Sequence, residues 1–160
     1  MSTQDLSTVH HTFVVERSYP QSRARVFAAL STAASVRRWY VEGPKRKVES
    51  FEMDFRVGGA ERSVLTYTGG TPMDGVTFVN EGHYLDIVSM ERVVMASAMT
   101  AGERRISASL LTFELVDQGN GGTALVFTHQ GVFFEGGDGP QMREAGWCTL
   151  LDRLAAHLAA

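Results

Sequence analysis

Between Phe51 and Thr128 the chain reads as a series of extended stretches whose connectors are too short to carry it across a sheet. Phe51, Met53 and Phe55 alternate with Glu52 and Asp54, the period-two signature of a strand with one buried face. Gly58-Gly59 marks a turn or bulge, and Arg62 to Thr68 makes the next strand. Gly69-Gly70-Thr-Pro72 and Asp74-Gly75 form a loop, followed by strands near 77–87, 92–100, 105–116 and 123–130. Val88-Ser-Met-Glu91, Ala101-Gly-Glu103 and Gln118-Gly-Asn-Gly-Gly122 separate these four. A parallel return needs a crossover of about a dozen residues or more. Consecutive strands must therefore pair antiparallel, as a meander.

The flanking segments supply helices. Phe13, Val15 and Tyr19 share one parity and predict a strand from Thr12, which Pro20 stops. Ser22 is placed to cap a helix carrying Val26, Phe27 and Leu30. A second short helix, capped by Ser31 or Thr32, carries Val36, Trp39 and Tyr40 and ends at Gly43-Pro44. Neither reaches the ~12–15 residues of a helix that stands alone, so packing must hold both. At the other end the period changes. Pro140 suits a first helical turn, and Trp147, Leu151, Leu154 and Leu158 form one apolar stripe. The implied helix has roughly nineteen residues and a length of about 28 Å. A sheet apolar on one face needs a cover, and this helix is the large one available. The expected fold is α+β: a curved antiparallel sheet of about six to seven strands around a long C-terminal α-helix, with two short helices after the first strand. Residues 1–11 are polar and read as a flexible N-terminus, leaving 12–160 as a single domain.

Composition then removes whole classes of function. With 160 residues, 44% hydrophobic and 21% charged, the chain can bury a core without disulfides or metals. The longest apolar run, Val26 to Leu30, is far below the ~18 residues of a membrane span. The N-terminus lacks the basic-then-apolar pattern of a secretory signal, so a cytoplasmic location is expected. A formal charge of -3 gives no basic footprint for nucleic acid. The single cysteine, Cys148, can form no internal disulfide and sits beside the helix stripe as a small hydrophobe. No His-Glu-x-x-His or Cys-x-x-Cys pattern is present, so neither a metal nor another cofactor is expected. The glycine pairs lack the context of a phosphate-binding loop and read as turns.

Six motifs in order carry a resemblance. They are Tyr19-Pro-Gln-Ser-Arg-Ala-Arg-Val-Phe27, Arg38-Trp39-Tyr40 and Asp54-Phe-Arg-Val-Gly-Gly59, then Asn80-Glu-Gly-His-Tyr-Leu-Asp-Ile-Val88, Thr128-His-Gln-Gly131 and Gly146-Trp-Cys-Thr-Leu-Leu-Asp-Arg-Leu154. Over residues 12–159 the chain resembles the SRPBCC, or START-like helix-grip, superfamily. Within it the chain is most similar to bacterial proteins like the C-terminal domain of the activator of the Hsp90 ATPase. The resemblance implies a deep cavity between sheet and long helix that often takes a hydrophobic ligand. In that fold the short helix pair seals one end. Members range from lipid carriers to polyketide cyclases, so the fold leaves the function open.

Three readings follow. The first is a binding protein for a small hydrophobic molecule. Its walls would be Met53, Phe55, Leu111, Phe113 and Phe127, with Trp39, Trp147, Leu151 and Leu154, oriented by His83, Tyr84 or His129. The second is a cyclase- or hydrolase-type enzyme in which Glu81 and His83 move a proton. Two residues apart on one strand face they stand about 7 Å apart, so a water would bridge them. The plainer reading leaves both on a solvated face, and makes His129 a strand-end histidine. The third is a co-chaperone-like interaction with the Hsp90 ATPase, for which the chain has no added docking module and no strong charge pattern. A homodimer is the default expectation for assembly. Gly146 is expected to permit close backbone approach to the sheet or a ligand, since a mid-helix glycine costs about 1 kcal/mol. Gly131 to Gly139, with Phe133 and Phe134, reads as a lip over the cavity or a dimer contact.

Overall fold

The computed structural model of the chain describes residues 8–70 and 72–160, so most of the expected N-terminal tail lies outside the described residues. The meander forms as the connectors require. Strands β2 (Arg46–Met53), β3 (Ala60–Tyr67), β4 (Thr77–Val88), β5 (Arg92–Ala101), β6 (Arg104–Asp117) and β7 (Thr123–Phe133) pair in sequence order, all antiparallel. Strand β1 (Val9–Tyr19) adds to the free edge of β7, giving a seven-stranded sheet of order β1-β7-β6-β5-β4-β3-β2. It starts three residues before Thr12, so His10 and His11 belong to it and pair with Val132 and Gly131.

That topology sets a task for the segment after β1. It must travel from one edge of the sheet to the other, about 29 Å if the sheet were flat. Helices α1 (Arg23–Ser31) and α2 (Ala33–Val36) make the journey. Ser22 caps α1 by accepting the Arg25 amide at 3.2 Å, while Thr32 precedes α2 without a side-chain cap bond. Helix α2 then widens into a π-turn over Arg37–Val41. Such a turn carries an extra residue. Here both Trp39 and Tyr40 face inward, and the Trp39 indole donates to the Ala29 carbonyl at 2.9 Å.

Helix α3 (Gly139–Ala159) lies on the concave face. Its stripe of Trp147, Leu151, Leu154 and Leu158 is buried as the spacing predicts, and Arg143 extends it one turn toward the N-terminus. The Tyr19 hydroxyl donates to the Leu151 carbonyl at 2.9 Å and ties β1 to the helix. The main core joins this stripe to Val15, Val93, Phe113, Leu115, Leu125 and Phe127. A smaller cluster of Val41, Leu65, Phe78 and Ile106 closes the far end of the sheet. Among the described residues no helix is long and apolar enough to cross a membrane.

Candidate functional site

Between the two clusters the inner face of the sheet carries small and polar side chains. One cross-strand row runs Glu61, Gly82, Ser97, Ser109, Gly131. The next runs Ser63, Asn80, Met99, Ser107, Phe133. Apart from Met99 and Phe133 these residues fall short of α3, whereas the neighbouring row of Tyr84, Met95, Leu111 and His129 is bulkier and leaves only small recesses. The result is a cavity of about 450 Å³ between the second row, which lines it through Ser63, Asn80 and Met99, and the N-terminal half of α3. That lies within the roughly 300–1,000 Å³ of small-molecule sites. Leu65, Tyr67, Phe78, Met99, Ile106 and Leu150 make its walls largely apolar.

Tyr40 and Trp147, stacked at 5.6 Å and 24°, stand where the cavity meets two smaller recesses. The first, about 30 Å³, is lined by Trp39, Glu61, Tyr84, Leu111 and Phe113 among others. The Tyr84 hydroxyl donates to the Glu61 carboxyl here. Burial pushes Glu61 above its ordinary value, with the Tyr84 bond opposing in part. Tyr40 and Tyr84 are also raised, again by burial first and by Glu61 second. The second recess, about 20 Å³, holds Ser97, Ser107, Ser109, His129 and Arg143. Arg143 is buried and grips Asp138 with two bonds, 2.7 and 2.9 Å, while donating to Ser107 at 2.9 Å. Its guanidinium also lies over the Phe133 ring. His129 stacks on Phe13 at 4.7 Å, and burial followed by the Arg143 charge lowers its pKa to about 4.

The wall expected from sequence is partly this one. Trp39, Tyr84, Leu111, Phe113, His129 and Trp147 line the cavity or its recesses. Phe127, Leu151 and Leu154 do not: each is fully enclosed in the main core, where aromatic and leucine side chains leave no gap. Met53 and Phe55 pack against the rim of that core, Phe55 on Phe27 and Tyr84. His83 cannot share a face with Tyr84, because neighbours on a strand point to opposite sides. Tyr84 is inward, so His83 and Glu81 stand exposed on the convex face. Glu81 lies 3.8 Å from Arg62 and 3.7 Å from Arg105 there, and the expected acid–base pair has no access to the cavity.

Other expectations change as well. No close approach surrounds Gly146: it lines the cavity, and an added Cβ would meet nothing within 4 Å. Phe133 belongs to β7 and is buried, so only the segment after it, with Gly136, Gly137 and Asp138, forms a rim. Cys148 is half-buried against the main core. Sequence reasoning passed over Glu61, Asn80, Ser109 and Arg143. Arg143 had a signal, since it precedes Trp147 by one helical turn on the same stripe.

Fold and cavity together define a helix-grip protein with a partly open, mainly apolar chamber that carries a few buried polar groups. Residues 20–159 match the family described as Activator of Hsp90 ATPase homolog 1-like protein, and the chain belongs to that family. An uncharacterised protein from Rhizobium leguminosarum is similar at 37% identity and TM-score 0.87, covering 96% of this chain and 97% of the other. The Mll3558 protein from Rhizobium loti is similar at 44% identity and TM-score 0.83, covering 94% and 99%. The AHSA1 protein from Silicibacter pomeroyi, at 22% identity, TM-score 0.72 and coverage of 93% and 98%, shares the fold. No curated protein matches the chain.

Proposed function

We propose that the protein binds a small, mainly apolar molecule in the cavity between the sheet and α3. The observation that carries this reading is the 450 Å³ chamber with apolar walls and a floor of buried polar groups. A chain selected only for a stable core would place bulky residues in the rows that instead hold Ser63, Ser97, Ser107 and Ser109, because unfilled volume costs stability. Family membership agrees, since the helix-grip fold is one in which this space takes ligands.

Native mass spectrometry of gently purified protein, paired with the denatured mass and an organic extract, tests the proposal. Added mass that disappears on denaturation supports it and identifies the ligand class. The same spectrum gives the subunit count. Gly146→Phe is the matched control, because Gly146 lines the chamber and a Cβ there meets nothing within 4 Å, so the ring projects into the space the ligand would fill. Retained mass in that variant would place the ligand elsewhere and overturn the assignment.

A further inference from the structure

Two polar atoms in the smaller recess are buried without a hydrogen-bond partner: Ser109 Oγ and His129 Nδ1. A buried polar group left unpaired is costly, so two of them lining one small recess call for an occupant. Their juxtaposition is built. Ser109 pairs across the sheet with Gly131, and a Cβ on Gly131 would lie 2.7 Å from His129 Cε1 and 3.2 Å from Nδ1. The glycine thus lets the imidazole lean over the residue opposite Ser109. Stacking on Phe13 at 4.7 Å and on Phe133 at 5.8 Å holds the ring there. The recess, about 20 Å³, has room for one oxygen-sized group. It adjoins the main cavity, sharing Tyr40, Asn80, Met99, Arg143 and Trp147 with it.

We propose that the ligand is an apolar molecule bearing one hydroxyl group, and that this hydroxyl enters the recess to bond Ser109 Oγ and His129 Nδ1. The inference rests on the cavity being a ligand site. The local charge balance selects a neutral group. Arg143 already has Asp138 as a two-bond partner, so an anion would meet a cation whose charge is spent and a carboxylate beside it. An ammonium would face Arg143. A hydroxyl both donates and accepts, so it satisfies the serine and either tautomer of a neutral imidazole. His129 is neutral over the ordinary pH range, since its pKa falls to about 4.

The test compares hexylphenol, hexylbenzene and hexylbenzoate as displacers of the neutral dye N-phenylnaphthylamine from the intact protein. Hexylphenol should bind about tenfold tighter than hexylbenzene, the worth of one good hydrogen bond to groups otherwise unpaired. Ser109→Ala should erase that preference, bringing hexylphenol and hexylbenzene to equal affinity. Its unliganded melting temperature should be equal or higher, because the change removes an unpaired buried group. Equal affinity for hexylphenol and hexylbenzene overturns the inference, leaves the cavity intact as an apolar site, and assigns the recess to an ordered water. Tightest binding of hexylbenzoate overturns it in favour of an anionic head on Arg143. If neither the dye nor any of the three binds, the ligand-site reading itself fails, and the inference with it. A Ser109→Ala protein that does not fold moves the comparison to Ser109→Cys, whose slightly larger thiol is a much weaker hydrogen-bond partner.

Discussion

His129 and Glu61 are ionisable groups held inside the protein, and their shifts act on stability in opposite senses. Burial and Arg143 lower His129 to about 4, opposed by the ring's contact with its own backbone and by Asp138, with His11 adding slightly to the lowering. Folding therefore disfavours the protonated ring. Its contribution is fully present above the unfolded value of 6.5 and is lost as pH falls through 4. The difference corresponds to about 3 kcal/mol. Chemical denaturation across this range should show that loss, and His129→Phe should flatten it. Glu61 is raised, so its contribution is present below its ordinary value of 4.5 and fades as pH climbs through the folded value. From 4.5 upward, as Glu61 begins to ionise in the unfolded chain, the two slopes oppose each other. Glu61→Gln should accordingly make stability rise more steeply with pH in that window than in the parent, by the same denaturation measurement. Arg143→Gln leaves Asp138 without its two-bond partner, and a loss of about 3 kcal/mol is expected.

At the scale of elements, α3 does two jobs along one stripe. Its second half seals the core with Leu151, Leu154 and Leu158, while Met142, Arg143, Gly146, Trp147 and Leu150 face the chamber. The two halves should respond differently to substitution. Leu154→Trp overpacks a site with no exposed surface and should cost about 1–3 kcal/mol. Gly146→Ala meets open space and removes a glycine from a helix interior, so it should stabilise by about 1 kcal/mol. Thermal melts of the pair give the comparison: a Gly146→Ala melting temperature below the parent's would mean that the chamber wall is tighter than the geometry indicates. The sheet divides in the same way. A register shift between Met99 and Thr100 puts both Ile106 and Ser107 inside, one closing the far cluster and the other beside Arg143. A second shift after Tyr84 leaves Leu85 unpaired and exposed on the outer face.

For the whole molecule, the sheet separates an inner face that makes the chamber from an outer face that does not reach it. Glu81 and His83 belong to the outer face with Arg62 and Arg105. The double variant Glu81→Gln, His83→Gln should leave ligand affinity unchanged and shift stability by no more than about 0.5 kcal/mol. Binding measured on that variant, beside Gly146→Phe, separates the two faces: a large loss from the outer pair would mean that the chamber is not the site. The helix-grip architecture leaves the chemistry to whichever residues line this space. Here these are serines, Asn80, His129, Glu61 and the Arg143–Asp138 pair.

The order and type of the elements were legible in the chain alone, because period and connector length are local properties. Short links oblige antiparallel pairing, and the stripe from Trp147 to Leu158 names the one helix able to cover the sheet. The family resemblance was legible for the same reason, from motifs that mark turns and helix ends. The cavity was not. Its position depends on which residues stand opposite one another on different strands, and bulges reset that register away from any local signal. His83 beside Tyr84 shows the limit: alternation excludes one of them from the inner face, and only the assembled sheet decides which. The rows Glu61–Gly82–Ser97–Ser109–Gly131 and Ser63–Asn80–Met99–Ser107–Phe133 are scattered over five strands in sequence. Five separate serines, glycines or polar residues look like ordinary strand content until pairing aligns them. Volume left empty is a property of neighbours in space, and the tertiary structure alone brings those neighbours together.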